Sequence, residues 1–209
     1  MSFKDIFNIE AEVKESAHAR VNLIGEHTDY TGGYVMPTLL SFKNTIEITQ
    51  NNSNEFIVYS QHFKEKKAFN DFKKSSNNEW VDYIKGCLHI FFDENNISSR
   101  YLNIYISSDI PLERGISSSS ALCVATLKAL NTFFETKITN PEIAKLAKKV
   151  EFNYIGVSGG IMDQMVSSIG IHGKAFFMNC KNLEYELINF PENWKFCLID
   201  SEVQRNLRD

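Results

Sequence analysis

Over the first 72 residues, apolar positions come in short runs broken by Asn, Ser and Lys. Beyond that point the spacing turns helical. Residues 3–8 suit a short helix, and Val21-Asn-Leu-Ile24 suits a buried strand that leaves into a polar loop at Gly25. Gly32-Gly33 marks a turn, after which runs at 34–40, 43–50, 55–60 and 67–72 read as antiparallel strands stacked in order. Residues 75–78 read as a loop. Apolar side chains at 80, 81, 84, 87, 88, 91 and 92 then make a helical stripe, which assigns Trp80 and Tyr83 to a core, with an aromatic flank for an adenine ring as the alternative.

Residues 101–110 alternate as a half-buried strand, and 122–134 are apolar on nearly every face, as in a central helix. Asn140-Pro141 opens another helix with a cap and a first-turn proline, its buried face carrying Ile143, Ala144, Ala147, Val150 and Tyr154. Glu151 sits near that stripe, where an unpaired carboxylate is costly, so a cation or arginine is expected to answer it. A glycine turn at 158–160 leads into a helix reaching 169. Three more strands are expected at 175–179, 185–189 and 196–199, before a polar segment at 201–209.

Composition narrows the function classes. The 209 residues are 43% hydrophobic, enough to bury a sizeable core. A formal charge of −4 gives no basic patch, so neither nucleic acid nor an anionic membrane is expected as a partner. The N-terminus lacks an apolar signal core and no apolar run approaches bilayer length, so a cytoplasmic protein is expected. Cys87, Cys123, Cys180 and Cys197 lack the paired spacing of a zinc or redox site and read as buried free thiols.

Three polar stretches carry candidate chemistry. In Pro111-Leu-Glu-Arg-Gly-Ile-Ser-Ser-Ser-Ser-Ala121, Gly115 permits a sharp turn, and Ser117, Ser118, Ser119 and Ser120 supply cap hydroxyls at a helix N-terminus. Such an end attracts phosphate through its N–H groups and dipole, although simple capping would use the same residues. In Arg20-Val-Asn-Leu-Ile-Gly-Glu-His-Thr-Asp-Tyr30, the groups Glu26, His27 and Asp29 could orient a polyol, or form only a charged turn. In Gly159-Gly-Ile-Met-Asp-Gln164, Asp163 lies where a helix start favours a negative charge, and capping alone would account for it.

In this order, the three motifs resemble the galactokinases of the GHMP small-molecule kinase superfamily over nearly the whole chain. The resemblance implies an α+β fold, the superfamily's N-terminal domain, with a mixed, largely antiparallel sheet covered by helices. It implies ATP-dependent phosphorylation of galactose, with ATP as co-substrate and Mg²⁺ as the metal. Asp163 would take the sugar hydroxyl's proton or orient that hydroxyl, and Arg20 would keep Asp163 charged and offset developing phosphoryl charge. Glu26, His27, Asp29 and Gly160 would contact the sugar, Gly115 and Ser117 to Ser120 the nucleotide, and Ser119 and Glu151 the magnesium. Ala19 stands where the family usually has glycine, and Glu113-Arg114 replace small residues of its phosphate loop.

Galactokinases have a second half with a further glycine-rich loop, so residues 1–209 are expected to be an N-terminal portion. Alone, that portion is expected to be nearly inactive and to self-associate through uncovered apolar surface. An N-acetylgalactosamine kinase and a non-catalytic galactose sensor are the alternatives. Retention of Arg20, the serines and Asp163 favours an enzyme.

Overall fold

The computed structural model describes residues 1–76, 79–111 and 114–199. Asn77 and Asn78 of the expected loop, Leu112 and Glu113 of the serine loop, and the polar segment 201–209 lie outside the described residues. The elements run α1 (Phe3–Phe7), β1 (Val13–Asn22), β2 (Tyr34–Val35), β3 (Pro37–Gln50), β4 (Phe56–Ser60), β5 (Glu65–Phe69), α2 (Val81–Asn95) and β6 (Leu102–Ser108). They continue through α3 (Ser118–Phe134), α4 (Asn140–Lys149), a π-helical turn (Val150–Ile155), α5 (Met162–Ile169), β7 (Lys174–Asn179) and β8 (Tyr185–Asn189).

The strands form one mixed, largely antiparallel sheet, as the α+β expectation requires. Its main path is β2-β7-β3-β6-β4-β5, with β1 paired to β3 and β8 to β7. The expected sequential stacking is therefore wrong. Helix α2 carries the chain back across the sheet, so β6 arrives beside β4 in parallel, and β5 takes the other edge of β4. Likewise, the two runs expected at 34–40 and 43–50 are a two-residue strand and one 14-residue strand. That long strand must pair with β1, β6 and β7 in turn, and it stays extended through exposed Ser41, Phe42 and Lys43.

Strand period sorts the faces. On β3 and β6, Ile46, Ile48, Leu102, Ile104 and Ile106 share one core with α2 and α3, while Tyr105 points to the other face, where it packs with Tyr59 and Phe3 of α1. Helix α3 is central, with α2, α4 and α5 around it, and it is buried from Ala121 to Leu130 apart from Leu122 and Lys128. A second apolar cluster joins Val35, Ala144, Met162, Met165, Val166, Phe176 and Met178, seating α5 on β7.

Smaller expectations change too. The cap of α4 is Thr139, not Asn140: its hydroxyl and the Glu142 carboxylate close a reciprocal capping box. No strand forms at 196–199. Among the described residues no strand pairs with that stretch, which stays solvent-exposed along with Trp194, at 60% exposure. The four thiols are free, but only Cys87 and Cys123 are buried; Cys180 is half-buried and Cys197 exposed. Among the described residues, no helix is long and apolar enough to cross a membrane.

Candidate active site

A register shift in β1 between His18 and Arg20 re-aims the strand just before the first polar motif. Arg20 then reaches α5, a span of 143 residues, where its Nε and Nη2 donate to the two oxygens of Asp163 at 2.7 Å each. Its Nη1 donates to the Gly115 carbonyl at 2.9 Å, which ties the serine loop to the same guanidinium. This fork geometry suits arginine and not lysine. The Asp163 carboxylate also accepts from the Ser117 hydroxyl; it sits in the first turn of α5, where a negative charge is favoured, but its hydrogen bonds go to Arg20 and Ser117, which capping alone does not explain.

The serines behave differently from caps. Ser117 has φ +63°, a left-handed conformation costly for a side chain, and no hydroxyl caps α3. Ser119 and Ser120 instead donate to the two Glu151 oxygens, each at 2.7 Å, and the Gln164 amide donates to the same carboxylate. By helix geometry the first-turn N–H groups have no intrahelical partner, so they stay available to an anion. Asn44 of β3 braces the turn by donating to the Ser118 carbonyl at 3.0 Å.

Glu151 is 5% exposed and sits in the π-helical turn, a widened coil often found at functional sites. Burial raises its pKa, while hydrogen bonds from Gln164, Ser120 and Ser119 pull the other way. The cation expected to answer it is thus replaced by two hydroxyls and an amide, which stabilise charge without a second desolvated ion. Lys148 lies one turn earlier and donates to the Gly159 carbonyl; burial lowers its pKa against the pull of Glu151, Asp29 and Asp163.

The polyol loop is pinned by Thr28, whose hydroxyl donates to the Tyr34 carbonyl at 2.6 Å. Gly25 has φ +102°, and a Cβ there would come within 2.5 Å of that carbonyl, so only glycine fits. Asp29 accepts from the Met162 N–H at 3.4 Å and packs directly over Gly160. Burial is the main cause that raises its pKa, with the Asp163 charge adding to it.

One cavity of about 510 Å³ gathers Arg20, Glu26, Asp29, Gly115, Ser117 to Ser120, Glu151, Gly160 and Asp163. His27 is not on its lining; the ring hydrogen-bonds to the Tyr30 hydroxyl at 2.8 Å on the exposed loop. Sequence reasoning missed Phe63, Lys148 and Gln164, which also line the cavity, and gave Trp80 and Tyr83 to a core with an adenine flank as the alternative; the two pack against the main core and line the cavity as well. Both are half-buried at the cavity wall. Trp80 stacks on Phe63 at 5.7 Å and 17°, with its Nε1 donating to Glu65 at 2.9 Å. The pattern held a signal for Trp80, at the first turn of an amphipathic stripe, and none for Phe63. Arg114, one of the departures from the family pattern, lines the cavity, whereas Ala19 is fully buried beside Ile110 and Ala121.

The arrangement can hold a polyphosphate against the α3 N-terminus, a planar ring against the aromatic wall and a hydroxylated molecule between Glu26, Asp29 and Asp163. Comparison with known proteins gives this geometry its class. The GHMP kinases N-terminal domain family matches residues 82–170, and the galactokinase galactose-binding signature matches residues 1–49. In these two stretches the chain is similar to the GHMP kinases.

Its start is similar to the galactokinase signature, and the curated relatives it matches include galactokinases. That of Thermococcus kodakarensis is 36% identical over 192 residues, which is 90% of this chain and 53% of the relative. That of Pyrococcus furiosus is 36% identical over 197 residues, covering 94% of this chain and 55% of the relative. The crystal structure of Lactococcus lactis galactokinase complexed with galactose superposes with a TM-score of 0.84 at 28% identity, over 95% of this chain and 55% of that one. Methanococcus jannaschii mevalonate kinase shares the fold, with a TM-score of 0.72 at 23% identity. The chain spans about half the length of the curated relatives it matches.

Proposed function

We propose that this cavity transfers the γ-phosphoryl group of ATP to the anomeric hydroxyl of galactose, giving ADP and galactose 1-phosphate, in an enzyme of the relatives' full length. One observation carries the reading: the Arg20–Asp163 pair and the Ser119–Glu151 pair bracket the α3 N-terminus in the cavity that Glu26 and Asp29 share. Phosphoryl transfer depends mainly on positioning and charge neutralisation, and these groups supply both.

In this proposal Asp163 orients the sugar hydroxyl and receives its proton as the O–P bond forms. Arg20 holds Asp163 in place with two of its nitrogens and, through the third, fixes the loop that meets the phosphates. Glu26, Asp29 and the backbone at Gly160 take sugar hydroxyls, and His27 acts from the rim. Gly115 and Ser117 to Ser120 cradle the phosphates, and Trp80 with Phe63 and Tyr83 flanks the adenine. A magnesium ion would be held by Glu151 and Ser119. Among the described residues no cluster of three His, Cys, Asp or Glu is placed for a metal, so phosphate oxygens and water must complete its shell. A buried carboxylate and hydroxyl 2.7 Å apart fit such an ion. When bound, it neutralises phosphate charge.

Use of ATP makes the cytoplasm the implied compartment. Residues 1–209 alone should show negligible turnover, because a misplacement of about 1 Å can cost roughly a hundredfold in rate. Exposed Tyr185 and Ile188 on β8, with Trp194, Phe196, Leu198 and Ile199 beyond it, should drive self-association.

The test joins this chain to the part of the Pyrococcus furiosus galactokinase beyond the matched stretch and follows sugar 1-phosphate by phosphorus NMR. Galactose, N-acetylgalactosamine and glucose are compared. Galactose 1-phosphate should form, and Asp163→Asn should remove most turnover while leaving galactose binding. A folded fusion that binds ATP yet phosphorylates none of the sugars supports the sensor alternative, and preference for N-acetylgalactosamine supports the other kinase. Turnover by the 209-residue chain within tenfold of the fusion would contradict the account of a half-built site.

A further inference from the structure

Gln164 follows Asp163 on α5, and the two side chains grip different parts of the α3 start. Asp163 takes Arg20 and the Ser117 hydroxyl, whereas the Gln164 Nε2 donates to Glu151 Oε2 and, at 3.3 Å, to Ser120 Oγ. A carboxylate can only accept, so the amide has one workable orientation there, with nitrogen toward Glu151 and oxygen turned away. That orientation leaves a debt. Among the described residues Oε1 has no donor, although Gln164 is 4% exposed and lines the cavity.

Buried carbonyls without donors are rare, and each calls for a reason. An unbranched apolar side chain of similar length, such as methionine, carries no amide. What Gln164 adds over such a side chain is an N–H for Glu151 and a free acceptor two bonds away. A water on a divalent cation is a strong donor, because the ion's charge polarises its O–H bonds. Outer-shell groups of this kind fix ligand orientation at metal sites.

We propose that Gln164 is a positioning residue for the magnesium ion: its amide nitrogen holds the Glu151 carboxylate beside Ser119, and its Oε1, unpartnered among the described residues, would take a water donor that arrives with the ion. This rests on the reading of Glu151 and Ser119 given above and adds a residue that acts on the ion only through Glu151 and water.

Manganese can stand in for magnesium, since its paramagnetic resonance signal reports the free ion directly. The fused enzyme described above is titrated with Mn²⁺ in the presence of ADP, alongside its Glu151→Gln, Gln164→Met and Gln164→Asn variants. The unaltered fusion should bind one ion at the site, and Glu151→Gln should abolish it. Loss of an outer-shell partner typically costs 10- to 100-fold in affinity, and about that loss is expected for Gln164→Met. Gln164→Asn keeps an amide but is one methylene short, so it should weaken binding as well, and it covers the case in which the methionine variant does not fold. Thermal melts accompany each titration. A lower melting temperature with unchanged Mn²⁺ affinity makes Gln164 merely structural and overturns the inference while leaving Glu151 as a ligand. No binding by the unaltered fusion, or equal binding by its Glu151→Gln variant, overturns the magnesium assignment itself and this inference with it.

Discussion

Gly159 and Gly160 are neighbours in the loop entering α5, yet the space around them differs sharply. A Cβ on Gly159 would meet nothing within 4 Å, whereas one on Gly160 would lie 1.9 Å from Asp29 Oδ1, 2.0 Å from its Cγ and 2.1 Å from its Oδ2. Neither glycine has positive φ, so backbone strain does not separate them. The Gly160→Ala methyl must therefore push the Asp29 carboxylate back by more than an ångström, breaking its bond from the Met162 N–H. Overpacking of this kind costs about 1–3 kcal/mol. For a chain of this size, 1 kcal/mol corresponds to roughly 2–4 °C in melting temperature, which gives a drop of about 2–12 °C. Gly159→Ala should stay within about 0.5 kcal/mol of the unaltered protein, as open-surface changes do. Urea melts of both variants, repeated in an Asp29→Ala background, close a double-mutant cycle. The Gly160→Ala cost should shrink by about 1 kcal/mol or more once the carboxylate is gone. Equal costs at 159 and 160, or a cost at 160 indifferent to Asp29, would refute the close approach on which the sugar side of the cavity is built.

Arg20→Lys replaces a forked donor with one ammonium and should lower kcat of the fused enzyme at least about tenfold, with little change in the KM for galactose; steady-state kinetics that show a KM effect alone would oppose this. Asp29→Asn should change stability with pH in a set direction. The raised pKa of Asp29 favours folding below the ordinary carboxylate value of 3.8, and that advantage is lost as pH rises through the raised value, so charged Asp29 is a burden at neutral pH. Urea melts should show the Asp29→Asn variant more stable than the unaltered protein at about pH 7, with the gain vanishing near pH 3. Phe91→Ala, at a fully buried ring shared by α2 and the main core, should cost about 3–5 kcal/mol in the same assay; a loss under about 1 kcal/mol would mean that the core closes over the gap.

Local patterns carried the helices and strands well because each is written in the chain's own periodicity. Residues 122–134 are apolar all round and become the buried α3, and Leu102, Ile104 and Ile106 alternate into one face of β6. Order in the sheet was not legible, since the parallel meeting of β4 and β6 depends on a crossover and not on either strand's pattern. The site motifs were legible as residue types, whereas their partners were not. Glu151 reads as a carboxylate in want of a cation. Its actual partners, Ser119, Ser120 and Gln164, come from α3 and α5, and no spacing rule links them. Phe63 reads as one aromatic in a polar hairpin, and only its stacking on Trp80 reveals a wall.

Arg20 and Asp163 stand 143 residues apart in the chain, and this separation bears on how the protein is made. At about 5–20 residues per second on the ribosome, Asp163 emerges on the order of ten seconds after Arg20. The β1–β3 hairpin needs only local chain and forms in far less time. The Arg20 guanidinium therefore lacks its partners of the folded chain until first Gly115 and then α5 have been synthesised. The site cannot preassemble in pieces. Nascent chains stalled before Gly115 should leave Arg20 open to guanidinium-specific labelling, and chains stalled well past β7 should protect it; protection in the shorter chains would show that another partner holds Arg20 first.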